Sequence, residues 1–513
     1  MSELIEGLPP PPPVARTRDA AAVILFRKVQ RPAEPKRSAP PPTAEAFWLK
    51  REAKLAFAGG FYAFPGGKVD KADASVPVEG ATGLDATLRV TAARELLEET
   101  GVLVAHGPTL ARADVDAMRK ALLDETASFG ALLEKHGLKL RAADFVDAGR
   151  WVTPPHLPVR FDARFFLVEA PEGSNAVVWP GELTEGEWIA PNPALTRWSN
   201  GTALLHPPNL HALQSLVAYR GDTAPVLKNL RAPTQVTDFI ARRIEFQMGI
   251  RIFPLRTPTL PPAAHTNCYV VGNSDLLIVD PGSPDDEETD RLLSFVRELM
   301  TDGYKPRAVV LTHHHGDHVG GAARVMKELN LPLWCHAVTA ERLPELNAAR
   351  LLNDNELIPL GGIDLIVHHT PGHARGHICL EHKASHAMIV GDMVAGVGTI
   401  VIDPPEGDMG EYLRQLQRLK DLGARTLYPA HGPPLPDGPA KLDEYLNHRA
   451  WREGKVVAAL TEELQSLEQL VPKAYDDVQS FVLPLAERNT VAILDKLIAE
   501  GRARRDGEKY GVR

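Results

Sequence analysis

Between Arg307 and Gly321 the chain reads RAVVLTHHHGDHVGG, which sets His313, His315, Asp317 and His318 inside one hexapeptide. Neutral imidazole and carboxylate are ligands for zinc, iron or manganese. AVVLT has the β-branched composition of a buried strand, so the polar cluster starts where that strand should end. Gly320-Gly321 permits a tight turn into a helix. Alternate residues project to one side, so His313 and His315 can serve one cation while Asp317 and His318 reach a second past the bend. A solvated histidine-rich loop would explain the hexapeptide alone. It does not explain His373 in TPGHARGH, Asp392 in MIVGD and His431 in LYPAHGP, each at an expected strand end beside Gly or Pro. Asp280 closes another strand, LLIVD, before PGS. His314 and His377 lie off the pattern and are expected beside the ligands or facing substrate, with surface roles favoured.

A second constellation lies in TLRVTAARELLEETGVLV, where Glu95, Glu98 and Glu99 stand at i, i+3 and i+4 on one helix face. Like charges at that spacing cost a few tenths of a kcal/mol per pair, a cost that a bound divalent cation reverses. Val90, Ala93 and Leu97 form the opposite, buried side, and Gly101 is a helix stop.

These groups need scaffolds, and 513 residues imply about three domains. With 44% apolar and 24% charged residues the chain is ordinary globular protein rather than a disordered one. A formal charge of −9 excludes a general nucleic-acid coat but allows a local basic patch. Cys268, Cys335 and Cys379 lack CxxC spacing, which excludes a disulfide framework and a thiolate zinc site. MSELIEGLPPPPPV lacks the basic and apolar regions of a secretory signal, and no apolar run reaches the ~20 residues of a membrane helix. The expectation is a soluble, cytoplasmic protein. Pro9–Pro13 should form an exposed, extended tail. AAAVILFRK, FWLKR, WVTPP and RFFLVEA read as strands, separated in the first case by a Pro-rich loop, RPAEPKRSAPPPT. Order thins near Arg231–Pro233. From about residue 250, strands (TNCYVVG, DLLIVD, AVVLT, LPLWCHA, DLIVHHT, AMIVGD) alternate with helical stretches, as in an α/β sandwich. After His431 the chain reads as helical and charged.

The ordered series D, HxHxDH, H, D, H resembles the metallo-β-lactamase superfamily. By that resemblance His313, His315 and His373 hold one metal, Asp317, His318 and His431 the other, and Asp392 bridges them. Asp280 supports the ligand loop, and Asp317 orients the nucleophile in a hydrolysis. The implied cofactors are two zinc ions, or iron or manganese. The stretch from GDMVAGVGT to EYLNHRAWREGKVVAAL looks like the branch with endoribonuclease and thioesterase members, which adds a small winged helix. There Val491, Leu494 and Ile498 would face a core, and Arg502, Arg504 and Arg505 could meet RNA phosphate.

Arg94-Glu95-Leu96-Leu97-Glu98-Glu99-Thr100-Gly101-Val102 resembles the second half of the Nudix box. The first half matches at Gly67 but has Asp73 where the family has Glu, followed by a long insertion, 74–93. GRWVTPPHLPVRFDARFFLVEAPEG and GELTEGEWIAPNPAL look like the branch that contains an acyl-coenzyme A diphosphatase. The resemblance implies magnesium or manganese on Glu95, Glu98 and Glu99, with Glu98 and Glu99 catalytic, Arg94 orienting a glutamate, and Glu185 or Glu187 as a further acid or base.

The expected fold class is multidomain α/β: a Pro-rich tail (1–17), a Nudix α/β/α domain (18–230), a linker (231–249), an αββα metallo-β-lactamase sandwich (250–443) and a winged-helix domain (444–513). The expected function is a bifunctional metal-dependent hydrolase acting on a small-molecule nucleotide or acyl-coenzyme A substrate, with RNA a further partner through the winged helix and no membrane partner. The alternative is a nucleotide-sensing RNA-binding protein with a non-catalytic Nudix domain.

Overall fold

The computed structural model describes residues 14–30, 41–55, 58–179, 181–479 and 483–513. The polyproline tract and most of the Pro-rich loop lie outside these residues. The chain divides between Met248 and Gly249 into two compact units.

In the first unit, strand β1 (Thr17–Val29) runs antiparallel to β2 (Thr43–Arg51) and parallel to Arg160–Glu169. The sheet order is Tyr62–Ala63, β2, β1, Arg160–Glu169, Val146–Val152. Gly66–Lys68 also pairs with β1, and Leu183–Ile189 with β2. The run AVILF is apolar at every position because both faces of β1 are covered. Val23 and Leu25 pack with Phe47, Val90 and Leu97, while Ile24 and Phe26 pack with Trp48, Ala194 and Leu213. At about 1.5–3 kcal/mol per fully buried large apolar side chain, this one strand anchors both layers. Helix α1 (Gly83–Thr100) covers the first face and ends at Gly101, whose φ of 69° is left-handed. Residues 231–249 are not a bare linker. They carry short strands at Val236–Thr237, Ile240–Ala241 and Ile244–Gln247, and buried Phe246 meets Phe61 edge-on. The apolar Ile244 and Phe246, alternating with Glu245 and Gln247, carry the strand signal that the polar flanks conceal.

The second unit is a sandwich of two sheets with helices outside. One sheet runs Ile250–Arg256, His265–Val271, Asp275–Val279, Lys305–Val310, Leu333–His336, Arg350–Leu352, antiparallel at first and parallel from Asp275 onward. The other runs Leu357–Pro359, Asp364–His369, Ile378–His382, Ala387–Gly391, Thr426–Pro429. Helix Asp286–Thr301 packs on the first sheet through Leu292, Val296 and Leu299, and helices Met409–Asp421 and Gly438–Ala459 on the second through Leu416, Leu419 and Leu442.

The C-terminal segment has helices Leu467–Ala474 and Leu483–Ala499 and a three-stranded sheet ordered Gln465–Ser466, Lys509–Val512, Ala503–Asp506. Position 444 falls inside the 22-residue helix Gly438–Ala459, so no break occurs there. The buried stripe of the last helix centres on Ile493, Leu494 and Leu497. Val491 and Ile498, expected in that stripe with Leu494, are only half-buried. Among the described residues no helix is long and apolar enough to cross a membrane.

Candidate functional site

Strand Lys305–Val310 is buried at Ala308, Val309 and Val310 and releases its chain into the ligand loop at Thr312. Thr312 donates twice to Asp280, from its amide to Oδ1 (2.7 Å) and from its hydroxyl to Oδ2 (2.6 Å). Asp280 follows the neighbouring parallel strand and has a φ of 50°, a left-handed conformation that an L residue holds only when its surroundings impose it. His318 Nδ1 donates to the same carboxylate at 2.8 Å. The turn after Asp280 lies flat against the ligand loop, and a Cβ on Gly282 would overlap the Asp317 carbonyl oxygen.

The hydrogen bonds fix where each imidazole carries its proton. The Thr312 hydroxyl spends its hydrogen on Asp280, so it accepts from His313 Nδ1 (3.0 Å). His373 Nδ1 donates to the Val401 carbonyl (2.9 Å), and His431 Nδ1 to that of His265 (3.0 Å). A neutral imidazole has one N–H, so the inward Nε2 atoms of His313 and His373, both held below their ordinary range, are bare lone pairs. His313 Nε2 and His373 Nε2 lie 3.0 and 2.9 Å from His315 Nδ1, which can donate to only one of them. His318 Nε2 and Asp392 Oδ1 are buried with no hydrogen-bond partner among the described residues. Lone pairs facing one another at these distances are what a cation resolves.

The ligand atoms form two groups, His313, His315, His373 and Asp392 in one and Asp317, His318 and His431 in the other, each within 4.8 Å. Asp392 stands between them, with Oδ2 3.4 Å from His373 Nε2 and Oδ1 3.4 and 3.5 Å from His431 and His318. The donors are all nitrogen and oxygen, which fits borderline divalent cations. Burial and neighbouring imidazoles hold His313 and His315 well below their ordinary range. Burial also pulls His318 down, but Asp392, Asp280 and Asp317 together outweigh it and raise it. Burial pushes Asp392 up, and His431 and His318 more than reverse that. Each group thus holds one carboxylate, Asp392 beside three imidazoles and Asp317 beside two.

His377 is a correction to the sequence expectation. It is fully buried, accepts the Asp392 amide at Nε2 (3.1 Å) and meets the Thr370 hydroxyl at Nδ1 (2.8 Å), so it holds the central carboxylate's backbone. His314 is half-buried beside His315, at 4.9 Å between ring centroids. Sequence reasoning also missed Thr312, whose hydroxyl links Asp280 to His313. The carbonyls of Val401 and His265 have no signature in residue type.

In the first unit Arg94 joins the acidic residues. Its Nε and Nη2 each donate to Asp73 at 3.0 Å, and Nη1 donates to Glu95 (2.9 Å) and Glu98 (3.1 Å). Asp73 is 1% exposed and also accepts from Thr91 at 2.8 Å. The shorter acid thus meets Arg94 directly, across an insertion that folds as a turn, a short strand and the first turns of α1. Glu99 Oε2 accepts the Gly66 amide at 2.8 Å, and a Cβ on Gly67 would overlap the Glu95 carboxylate. Burial, with repulsion from Glu95, pushes Glu98 up to about 7 and Glu99 up to about 8, although Arg94 and the Gly66 amide act the other way.

Glu185 and Glu187 are not at this cluster. Across the pleat they pair with Lys50 and Trp48, and Trp48 belongs to the core on the face away from α1. Glu185 accepts from Tyr62 (2.8 Å) and Glu187 from Trp48 (3.3 Å). The acid in that loop whose charge reaches Glu95 and Glu99 is Glu182.

The expected phosphate contacts near the C-terminus are engaged internally. Arg502 pairs with Glu500 (2.9 Å) and Glu453, Arg504 donates to the Val512 (3.1 Å) and Glu462 (2.7 Å) carbonyls, and Arg505 donates to that of Gly507 (2.8 Å).

Residues 261–431 match the family model of the metallo-beta-lactamase superfamily, and 466–511 that of the beta-lactamase associated winged helix domain. The chain is 30% identical over 243 residues to a beta-lactamase-like protein 2 homolog from Caenorhabditis elegans, covering 46% of this chain and 79% of that protein. It is 33% identical over 201 residues to an atrochrysone carboxyl ACP thioesterase from Aspergillus chevalieri, covering 39% of this chain and 62% of that one. Among solved structures it is similar to a NUDIX hydrolase from Alicyclobacillus acidocaldarius, 29% identical with a TM-score of 0.33, covering 41% of this chain and 96% of that chain.

Proposed function

This chain belongs to the metallo-beta-lactamase superfamily through the unit that begins at Gly249, and from that premise we propose a two-site hydrolase that cleaves a thioester at the imidazole cluster and a diphosphate at the carboxylate cluster. Superfamily membership and the thioesterase among its relatives indicate a metal-dependent hydrolase. The observation that carries the proposal is the convergence of bare imidazole nitrogens on His315 and of Asp392 on both ligand groups.

His313, His315 and His373 would hold one cation, Asp317, His318 and His431 the other, with Asp392 between them. Zinc, iron or manganese held there would polarise a scissile carbonyl and bring the pKa of a water toward ~7. Asp317, whose Oδ2 lies 3.5 Å from His431 Nε2, would orient the attacking water through its carboxylate. Asp280 keeps His318 and the ligand loop in place, and His377 keeps Asp392 in place. A thioester is favoured over RNA because the arginines expected to meet phosphate are spent on acids and carbonyls of their own segment.

The first unit is read as a Nudix diphosphatase, supported by the box residues Arg94 to Val102 and by the Asp73–Arg94–Glu95–Glu98 network. Glu95, Glu98 and Glu99 would hold magnesium or manganese, which neutralises a diphosphate and activates water. Arg94 keeps two of the acids aligned. Since Glu95, Glu98 and Glu99 are all present on one helix, cleavage is favoured over nucleotide sensing.

Mass analysis of products from a medium-chain acyl-coenzyme A, with magnesium and zinc present, tests both halves. Free coenzyme A is expected from the second unit, and 3′,5′-ADP with acyl-phosphopantetheine from the first. An intact substrate would overturn the coenzyme A assignment.

A further inference from the structure

The last residue of β2, Arg51, faces the carboxylate cluster. Side chains of β2 alternate across the sheet, and Phe47 belongs to the core that helix α1 covers while Trp48 belongs to the other. Arg51 shares the parity of Phe47, so it projects toward α1. Its backbone is fixed on both sides, donating to the Phe61 carbonyl and accepting from Gly60, each at 3.0 Å. The next residue, Glu52, donates its amide to the Glu182 carbonyl at 2.8 Å. Arg51 Nε is buried without a hydrogen-bond partner among the described residues. Its charge nonetheless lowers Glu99 on one side and His206 on the other. Glu52, next in the chain, lines a cavity of about 300 Å³ together with Val178, Gly181, Leu183 and Thr184.

The acids that would normally neutralise such a group are already occupied. Glu95 and Glu98 accept from Arg94, and Glu99 accepts from the Gly66 amide. Once a divalent cation takes the remaining oxygens, Glu95, Glu98 and Glu99 no longer compensate Arg51. A guanidinium in that position presents parallel donors that match two oxygens of a phosphate.

Resting on the Nudix assignment, we infer that Arg51 is the anion-recognising residue of this site, holding the non-bridging oxygens of a substrate phosphate beside the cation that Glu95, Glu98 and Glu99 hold. It sets substrate affinity for a diphosphate-containing ligand and takes no part in holding the cation.

The test uses the full chain and its Arg51→Ala and Arg51→Lys variants. Methylenediphosphonate with magnesium is titrated by calorimetry, manganese binding is followed by electron paramagnetic resonance, and thioester hydrolysis is assayed on the same samples. The expected result is a loss of diphosphonate affinity of about 10-fold or more in Arg51→Ala and a smaller loss in Arg51→Lys, since the lysine keeps the charge without the fork. Manganese affinity and thioester hydrolysis stay unchanged, which shows that the variants are folded. Diphosphonate affinity in Arg51→Ala within about 2-fold of the parent would overturn the inference and leave the Nudix assignment standing. Loss of manganese binding along with diphosphonate would also overturn it, by making Arg51 part of the scaffold. A parent chain that binds neither manganese nor diphosphonate would remove the Nudix assignment, and the inference with it.

Discussion

The imidazole cluster draws its side chains from segments spread between His313 and His431, each delivered by the end of a different strand or loop. The carboxylate cluster takes Glu95, Glu98 and Glu99 from adjacent turns of a single helix. The first arrangement orients its ligands through the Asp280, Thr312 and His377 side chains and the Val401 and His265 carbonyls. The second keeps its like charges together by means of one cation, Arg94. Without metal the two clusters are frustrated differently, one by facing lone pairs and the other by crowded negative charge. The dispersed site depends on tertiary structure and the helical one on local structure.

Cation removal probes that contrast most strongly. Exhaustive chelation is expected to abolish both activities. Zinc alone should restore coenzyme A release, and magnesium alone the release of 3′,5′-ADP. Product analysis after each addition checks this, and a single ion restoring both products at once would mean the clusters are not chemically distinct.

Next come the two supporting acids. Asp280→Asn removes the charge that orients His318 and the ligand loop, and is expected to weaken zinc binding about 10- to 100-fold, as loss of such partners does. Asp73→Asn leaves Arg94 short of its buried bidentate partner and should cost about 2 kcal/mol in unfolding free energy. Zinc titration and chemical denaturation separate the two outcomes. If Asp280→Asn alters stability alone and Asp73→Asn alters metal binding alone, the contrast is inverted.

The smallest effect concerns pH. His206 packs against Phe61 and Phe246 at 4.5 and 4.9 Å, and burial together with Arg51 lowers it to about 4. Between its ordinary value of 6.5 and about 4, the unfolded chain binds a proton that the folded chain refuses. The contribution of His206 is thus complete above 6.5 and is lost as the pH falls toward 4. Denaturation midpoints of the first unit measured from pH 7 to 4.5 should fall, and His206→Phe should flatten the slope. An equal slope in the variant would assign the pH dependence to other groups.

Much of this was legible in the residues. Strand runs such as AVVLT and AMIVGD announce themselves by composition, and ligands at their ends follow from where a buried strand must release the chain. The Glu95, Glu98 and Glu99 face follows from helical period alone. What escaped depended on pairing. Glu185 and Glu187 were set on the far face by their pairing with Lys50 and Trp48, which no single-strand pattern encodes. The burial of His377 arises where the strand Ile378–His382 meets the Thr312 loop, its Ile378 amide donating to the Thr312 carbonyl at 2.9 Å. Residues 231–249 look polar because their buried pair, Phe246 and Gln247, includes a polar side chain.

The central claim is that one chain carries two independent hydrolytic sites, and Glu98→Gln and His315→Ala test it most directly. Each variant is incubated with acyl-coenzyme A and both metals, and the products are resolved by mass. The account predicts that Glu98→Gln loses 3′,5′-ADP while still releasing coenzyme A, and that His315→Ala shows the reverse. If either substitution eliminates both products, the two clusters serve one reaction and the account is wrong.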